Sequence, residues 1–182
     1  MADFEIAEIE TRKFEGGYAN LKDDKGGETY AGISRNFWPD WEGWTVIDAF
    51  KSGIPQHAGI DFEMNSKEMH DQLKFMVSRF YRINFWEGMN LDLIDNQELA
   101  NSIYDFAVNA GINRSVKFIQ EIVEVEMDGK LGPITINAIN MGDAYALLTA
   151  FNLKRAAFYK SIAKGSQAKF LKSWLRRINL EV

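Results

Sequence analysis

Two carboxylates and two glycine pairs lie within one short stretch, residues 14–34, which reads FEGGYANLKDDKGGETYAGIS. Glu15 follows an apolar helical pattern, where desolvation and the negative end of the helix dipole would both raise its pKa. Asp24 lies in a polar, glycine-rich turn, where it would stay ionised. Glycoside hydrolysis needs one carboxyl that donates a proton and usually a second, ionised one. The stretch therefore favours acid–base chemistry on a glycosidic bond.

Other residue types in the same stretch suit a saccharide. Thr29 offers a hydroxyl that could hold a water molecule, and Gly16 and Gly17 would let a sugar lie close to the backbone. Tyr18 and Tyr30 could present apolar ring faces to sugar rings, as could a nearby cluster of three tryptophans. That cluster comprises Trp38, Trp41 and Trp44. Three neighbouring tryptophans are also typical of a protein core, so both interpretations stay open.

Several other chemistries have no support in the sequence. The chain has no cysteine and only two histidines, His57 and His70, with no HExxH motif, so we expect no metal site. No phosphate-binding GxxxxGK[ST] or GxGxxG motif occurs, and no cofactor is expected. A calcium loop beginning near Glu124 is discounted because its twelfth position, which needs a bidentate Glu, is Thr135.

The hydrophobic pattern predicts a mainly α-helical protein. A first helix over residues 3–14 would stop at the Gly16-Gly17 pair, and a small β-hairpin or irregular loop would follow over residues 24–33. Glu68, three residues after Asn65, completes a capping box, and Gly111 suits a helix C-terminus. The later helices are predicted to begin at or near Thr45, Asn65, Asn96, Asn113, Pro133 and Asp143.

Charge is unevenly distributed along the 182 residues. Residues 1–149 hold 13 Lys and Arg against 25 Asp and Glu, a net charge of −12, whereas residues 150–182 hold 8 against 1, a net charge of +7. The basic residues of this tail alternate with apolar ones at helical spacing, which favours a solvated helix face over a nucleic-acid site. From the acidic residues near the N-terminus we expect no secretory signal, and since no apolar run reaches eighteen residues we expect no membrane span.

Residues 15–34 resemble the signature of the glycoside hydrolase family 108 muramidases, which are related to phage endolysins and often described as secretion activator proteins. The family pattern is close to EGGYxNxxxDxGGxTxxGIT, and Ser34 replaces its final Thr. Residues 104–120 (YDFAVNAGINRSVKFIQ) and 128–139 (DGKLGPITINAI) resemble later segments of the family, the second of them the DGxxGPxT element of its peptidoglycan-binding region.

The resemblance implies a lysozyme-like helical fold that cleaves the β-1,4 bond between N-acetylmuramic acid and N-acetylglucosamine. Glu15 would be the catalytic acid, with Asp24 and Thr29 as further catalytic residues. The resemblance also implies two lobes, a muramidase lobe over 1–93 and a helical peptidoglycan-binding-like lobe over 94–182. The substrate-binding residues would be Gly16, Gly17, Tyr18, Asn20 and Tyr30.

The partners expected from this resemblance are the glycan strands of peptidoglycan and a holin-like membrane protein that releases the enzyme. We expect synthesis in the bacterial cytoplasm and action in the periplasm or cell wall. Two alternatives remain open. One is a lytic transglycosylase acting on the same bond, and the other is a non-catalytic wall-binding protein that assists secretion or lysis.

Overall fold

In a computed structural model, the protein is mainly helical with one small antiparallel sheet after the first helix, as the sequence predicts. The structure describes residues 1–12, 17–20, 27–52 and 66–178. The α-helices are α1 (Phe4–Arg12), α2 (Gly43–Ser52), α3 (Ser66–Tyr81), α4 (Gln97–Ala110), α5 (Ile112–Ile122), α6 (Pro133–Met141), α7 (Ala144–Ile162) and α8 (Leu171–Arg176). The strands are β1 (Tyr18–Asn20), β2 (Glu28–Tyr30) and β3 (Ile33–Ser34). Shorter helical turns cover Arg82–Trp86, Glu87–Met89, Leu91–Leu93 and Gly165–Phe170.

The chain divides into two compact units. One unit contains residues 15–83, and the other contains residues 1–14 together with 84–182. The chain therefore starts in one unit, completes the other and returns. The two functional lobes over 1–93 and 94–182 are a different division, and they stay a prediction.

The larger unit, 1–14 with 84–182, is organised around α4, whose side chains from Leu99 to Ala107 are all buried. Phe4 of α1 packs edge-on against Trp86 and Tyr104, with ring centroids 5.9 Å away in both cases. On another side of α4, Phe106 contacts Phe151 at 5.9 Å. The aromatic contacts of α4 thus bind the N-terminal helix and the C-terminal helices into one core.

Most helix ends follow the predicted signals. The Asn96 side chain accepts a hydrogen bond from the Leu99 N–H at 2.8 Å, and the Asp143 side chain accepts one from Ala146 N–H at 2.9 Å. Pro133 is the first residue of α6. The Asn65 cap lies outside the described residues. The prediction that Asn113 caps α5 is wrong, because Gly111, at φ +93°, both ends α4 and precedes α5.

The basic tail is only partly the predicted solvated face. Lys160, Lys164 and Lys169 are exposed, but the side chains of Arg155 and Arg177 are 1% and 7% exposed. Both bind Asp105 of α4, so the prediction is wrong for these two arginines. Their partner lies at least 50 residues away in sequence, beyond the reach of helical periodicity.

Candidate functional site

The predicted site residues fall partly outside the described chain. Glu15, Gly16 and Asp24 lie outside the described residues. Gly17 precedes β1, and the remaining four residues occupy the first two strands: Tyr18, Asn20, Thr29 and Tyr30.

The strand register divides these residues between two faces of the sheet. Tyr18 lies opposite Tyr30, and Asn20 lies opposite Glu28, so these four side chains share one face. Thr29 lies opposite Ala19 on β1 and Ser34 on β3, and it belongs to the other face. The sheet therefore brings Tyr18, Asn20 and Tyr30 together and separates them from Thr29.

A cluster of charged side chains holds the Glu28 face of the sheet onto α2. Glu28 accepts a hydrogen bond from Arg35 Nη1 at 2.9 Å and pairs with Lys51 of α2. Arg35 also pairs with Asp48 of α2, where its Nη1 donates to Oδ1 at 2.7 Å. The two carboxylates and two cations balance, and the forked arginine fixes the sheet to one position along the helix.

The cluster keeps both carboxyls ionised. Burial alone would raise the pKa of Glu28, but hydrogen bonds from Lys51, Arg35 and Tyr18 hold that pKa below its ordinary value of 4.5. The hydrogen bond from Arg35 lowers the pKa of Asp48 below its ordinary value of 3.8. Both groups therefore stabilise the folded state in their charged forms.

This ionisation predicts how the stability of the folded state falls at acidic pH. Because both folded-state pKa values are lowered, the stabilisation is complete above the ordinary values of 4.5 and 3.8 and is lost as the pH falls through the lowered values. Glu28→Gln is expected to lower the Tm at neutral pH and to flatten the fall in Tm below about pH 4.5. Thermal unfolding followed by circular dichroism at a series of pH values measures both effects.

Glu42→Gln is the matched control for this experiment. Glu42 pairs with Arg79 at 3.4 Å, and the two side chains are 55% and 57% exposed, so we expect little change in Tm at any pH. If the Tm of Glu28→Gln fell below about pH 4.5 as steeply as that of the wild-type protein, the role given to the cluster would be contradicted.

Two of the three clustered tryptophans lie in the core next to the sheet. Trp41 and Trp44 are 8% and 2% exposed and pack edge to face with centroids 5.2 Å apart. Tyr30 stacks on Trp41, with centroids 6.2 Å apart and planes at 23°. Trp38 is 39% exposed and packs against Phe80. Of the two open interpretations, the core is confirmed for Trp41 and Trp44, whereas Trp38 keeps an accessible edge.

An apolar cavity of about 300 Å³ lies between the sheet, α2 and α3. Its lining consists of Tyr18, Tyr30, Ile47, Phe50, Lys51, Met69, His70 and Leu73. The Lys51 ammonium lies 4.9 Å from the centroid of the Tyr18 ring, which keeps that ring at the edge of the cavity. Both tyrosines predicted to bind substrate thus border a space that suits an apolar surface.

Two described glycines of the motif, Gly17 and Gly27, differ in whether the backbone requires a glycine. Gly27 has φ +63°, and a Cβ atom there would lie 2.8 Å from the Asn36 side chain, so backbone geometry requires it. Gly17 does not have a left-handed φ, and a Cβ atom there would meet nothing within 4 Å. The described part of the fold therefore gives no reason for a glycine at position 17.

The turn between β2 and β3 forms the end of the motif. Ala31 and Gly32 have φ values of 46° and 80°, which are the left-handed values of a two-residue hairpin turn. The Tyr81 hydroxyl of α3 donates a hydrogen bond to the Ala31 carbonyl at 2.8 Å. This bond supports a strained residue, since alanine is rarely left-handed.

Sequence reasoning missed the residues that position the sheet: Arg35, Asp48 and Lys51. The only signal was the spacing of Asp48 and Lys51, three residues apart, which places two opposite charges on one face of α2. That spacing is common on solvated helices and does not identify a partner.

The residues that the structure describes carry neither a metal-binding cluster nor a membrane-spanning helix. They contain no group of three or more His, Cys, Asp or Glu side chains that could hold a metal ion. None of the helices described is both long and apolar enough to cross a membrane.

Comparisons with known proteins give two family matches and a similar structure. Residues 9–111 match the Glycosyl hydrolase 108 model, and residues 114–179 match a model described as Predicted Peptidoglycan domain. The solved structure of SagA from Brucella abortus superposes on this chain with a TM-score of 0.68 and 26% sequence identity. The match covers 97% of this chain and 89% of the SagA chain. No curated protein matches. Each family match includes the segment that carries the corresponding sequence motif.

Proposed function

The chain belongs to the glycosyl hydrolase 108 family, and from this premise we propose that it is an N-acetylmuramidase with Glu15 as its general acid. Family membership and the peptidoglycan domain support a peptidoglycan hydrolase in general terms, on a lysozyme-like fold. The finer elements, which are the bond cleaved and the residues that cleave it, are our proposal.

In the proposed reaction, Glu15 donates its proton to the oxygen that links N-acetylmuramic acid to N-acetylglucosamine. As the bond from the muramic C1 to that oxygen breaks, the Asp24 carboxylate stabilises the positive charge that develops at C1 or orients the attacking water. The water oxygen bonds to C1 and its proton passes to a carboxylate. Thr29 assists by holding the water through its hydroxyl.

The observation that carries this proposal is the attachment of one face of the sheet to α2, which leaves the face with Thr29 on the other side. The charged cluster and Tyr30 attach one face of the sheet to α2 and Trp41. Thr29, half-buried on the other face, donates a long 3.4 Å hydrogen bond to the Gly27 carbonyl and no other to the residues that the structure describes. A fixed sheet with a hydroxyl on its other face supports the role given to Thr29, because catalytic groups need rigid supports.

The residues predicted to bind substrate have different roles in the proposal. Gly16 and Gly17 let the glycan approach the backbone, and the exposed Asn20 and the 47% exposed Tyr18 contact sugar. Tyr30 supports the sheet through its stacking on Trp41. The substrate is the glycan strand of peptidoglycan at the cell wall, and a holin-like membrane protein is the proposed route of release.

Gly17→Ala tests the proposed approach of the glycan. The described part of the fold has room for the added methyl group, so the free energy of unfolding is expected to stay within about 1 kcal/mol of the wild-type value. The KM for solubilised glycan is expected to rise about tenfold, since a methyl group would separate the backbone from the sugar. The release of reducing ends over a range of concentrations of the solubilised glycan measures this change.

Gly27→Ala is the contrasting variant. Its backbone is left-handed and its Cβ would clash with Asn36, so it is expected to lose stability. An unchanged KM in a well-folded Gly17→Ala protein would show that the glycan does not approach this position.

The experiment that tests the proposed function is digestion of purified sacculi in ¹⁸O water, followed by mass spectrometry of the soluble products. A muramidase releases muropeptides whose reducing muramic acid ends carry ¹⁸O. Products with 1,6-anhydro ends would instead identify a transglycosylase, in which the 6-hydroxyl of the sugar replaces water. Sedimentation with sacculi without release of any soluble product would identify a wall-binding protein.

A further inference from the structure

A second cavity, of about 230 Å³, has a lining whose described residues all belong to the unit formed by residues 1–14 and 84–182. Its walls come from both matched regions, with α1 and α4 from residues 9–111 and α7 and the two residues after α8 from residues 114–179. Unlike the apolar cavity beside the sheet, its described lining is mostly charged, amide and hydroxyl side chains, with Leu148 and Ile178 as its apolar members. The catalytic role proposed for the motif uses none of them.

One face of α4 forms the floor of this cavity. Glu98, Asn101, Ser102 and Asp105 follow each other at intervals of three, one and three residues, so they lie along the same side of the helix. At 1.5 Å per residue, Glu98 and Asp105 are about 10 Å apart along the axis. The cavity floor is thus an elongated strip with a carboxylate near each end.

The Asp105 end of the strip has a surplus of positive charge. Arg155 of α7 pairs with one carboxylate oxygen of Asp105, and Arg177 Nη1 donates to the other at 2.7 Å. Two guanidinium groups on one carboxylate leave a net charge of +1. The Nε atom of Arg155, a side chain only 1% exposed, finds no hydrogen-bond partner among the residues that the structure describes. A buried donor without a partner is costly.

The other half of the strip is negative. Glu98 is exposed, and the Glu10 carboxylate of α1 accepts a hydrogen bond from Asn101 Nδ2 at 2.8 Å. Between the two ends lie amide and hydroxyl groups, including Asn152, whose Oδ1 accepts a hydrogen bond from Ser102 Oγ at 2.6 Å. The cavity therefore offers anion recognition at one end, cation recognition at the other and neutral polar groups between them.

We propose that this cavity binds the stem peptide of peptidoglycan, an inference that rests on the proposed function because it concerns the same substrate. Stem peptides carry both carboxylates and the amine of a diamino acid. A peptide carboxylate would bind Arg155 and Arg177, and the ammonium group would face Glu98 and Glu10. The 10 Å strip matches about three extended residues. Asn101 and Asn152 would contact the peptide amides.

The test is titration of the full chain with the soluble tripeptide L-alanyl-γ-D-glutamyl-meso-diaminopimelate, followed by calorimetry and amide NMR shifts. We expect saturable binding that shifts the amides of α4 and α7. Glu98→Gln is expected to weaken the affinity about threefold to fivefold, because an exposed charge pair is lost. Glu126→Gln, which removes an exposed carboxylate outside the cavity, should leave the affinity unchanged.

A second peptide assigns the charge that Glu98 recognises. Acetylation of the side-chain amine of the diamino acid should weaken binding to the wild-type protein and to Glu126→Gln, but should add little to the loss in Glu98→Gln. Equal losses in all three proteins, or shifts confined to residues outside the cavity, would overturn the proposal. Melting curves of both variants establish that they are folded.

The outcome also separates this inference from the proposed function. Peptide binding requires no bond cleavage. A protein that binds the tripeptide but does not digest sacculi would therefore contradict the proposed muramidase activity and still support the peptide site. A protein that releases ¹⁸O-labelled muropeptides but shows no saturable tripeptide binding would support the muramidase and contradict the peptide site.

Discussion

Glu15→Gln is expected to reduce the release of soluble muropeptides from sacculi by about 10²- to 10⁴-fold, the range in which general acid catalysis contributes. Glutamine keeps the size and polarity of the side chain but carries no acidic proton. The departing sugar would then leave as an alkoxide, which is a poor leaving group at neutral pH. Binding of the glycan is expected to persist because the isosteric amide preserves the shape of the site.

The measurement is the initial rate of turbidity loss together with quantified soluble products. Glu5→Gln is the matched control, since it makes the same change on the exposed first turn of α1. The control should retain the wild-type rate. A Glu15→Gln protein that is folded and digests sacculi at the wild-type rate would remove Glu15 from the role of acid.

The local parts of the fold could be predicted because their causes are local. Asn96 and Asp143 cap α4 and α7 with their own side chains, and Pro133 begins α6 because its missing N–H is not needed there. The start of α5 could not be placed in this way. A single glycine, Gly111, links two helices there, and its backbone replaces the side-chain cap predicted at Asn113.

The candidate site was predictable in composition and less so in arrangement. Strand alternation alone separates Thr29 from Tyr30, so their opposite faces follow from the sequence once β2 is assigned. The pairing of Arg35 with Glu28 and Asp48 could not be inferred, because it depends on how the sheet meets α2. The sequence around a charged residue does not indicate which distant residue it will pair with.

The same limit applies to Asp105, for which we predict the largest effect on stability. Asp105→Ala is expected to lower the free energy of unfolding by about 3–5 kcal/mol, as is typical when one partner of a buried ion pair is removed. The change would leave the Arg155 and Arg177 guanidinium groups facing each other with side chains that are 1% and 7% exposed. Urea unfolding followed by circular dichroism and tryptophan fluorescence measures the loss.

Asp95→Ala supplies the matched control. Its carboxylate lies 3.6 Å from the N-terminal amine, and both groups are more than two-thirds exposed, so the expected loss is below about 1 kcal/mol. Equal losses in the Asp95 and Asp105 variants would mean that the buried cluster contributes no more than a surface pair.

Replacing the whole cluster distinguishes stability from binding. Asp105→Leu combined with Arg155→Met and Arg177→Met removes all three charges together, and such apolar replacements are often neutral or stabilising. We expect the triple variant to recover most of the stability lost in Asp105→Ala but to bind the stem tripeptide more weakly than the wild-type protein. The cluster would then be explained by its ligand, since an apolar core could hold α4, α7 and the end of α8 together without it. Full tripeptide affinity in the triple variant would instead make the cluster structural alone.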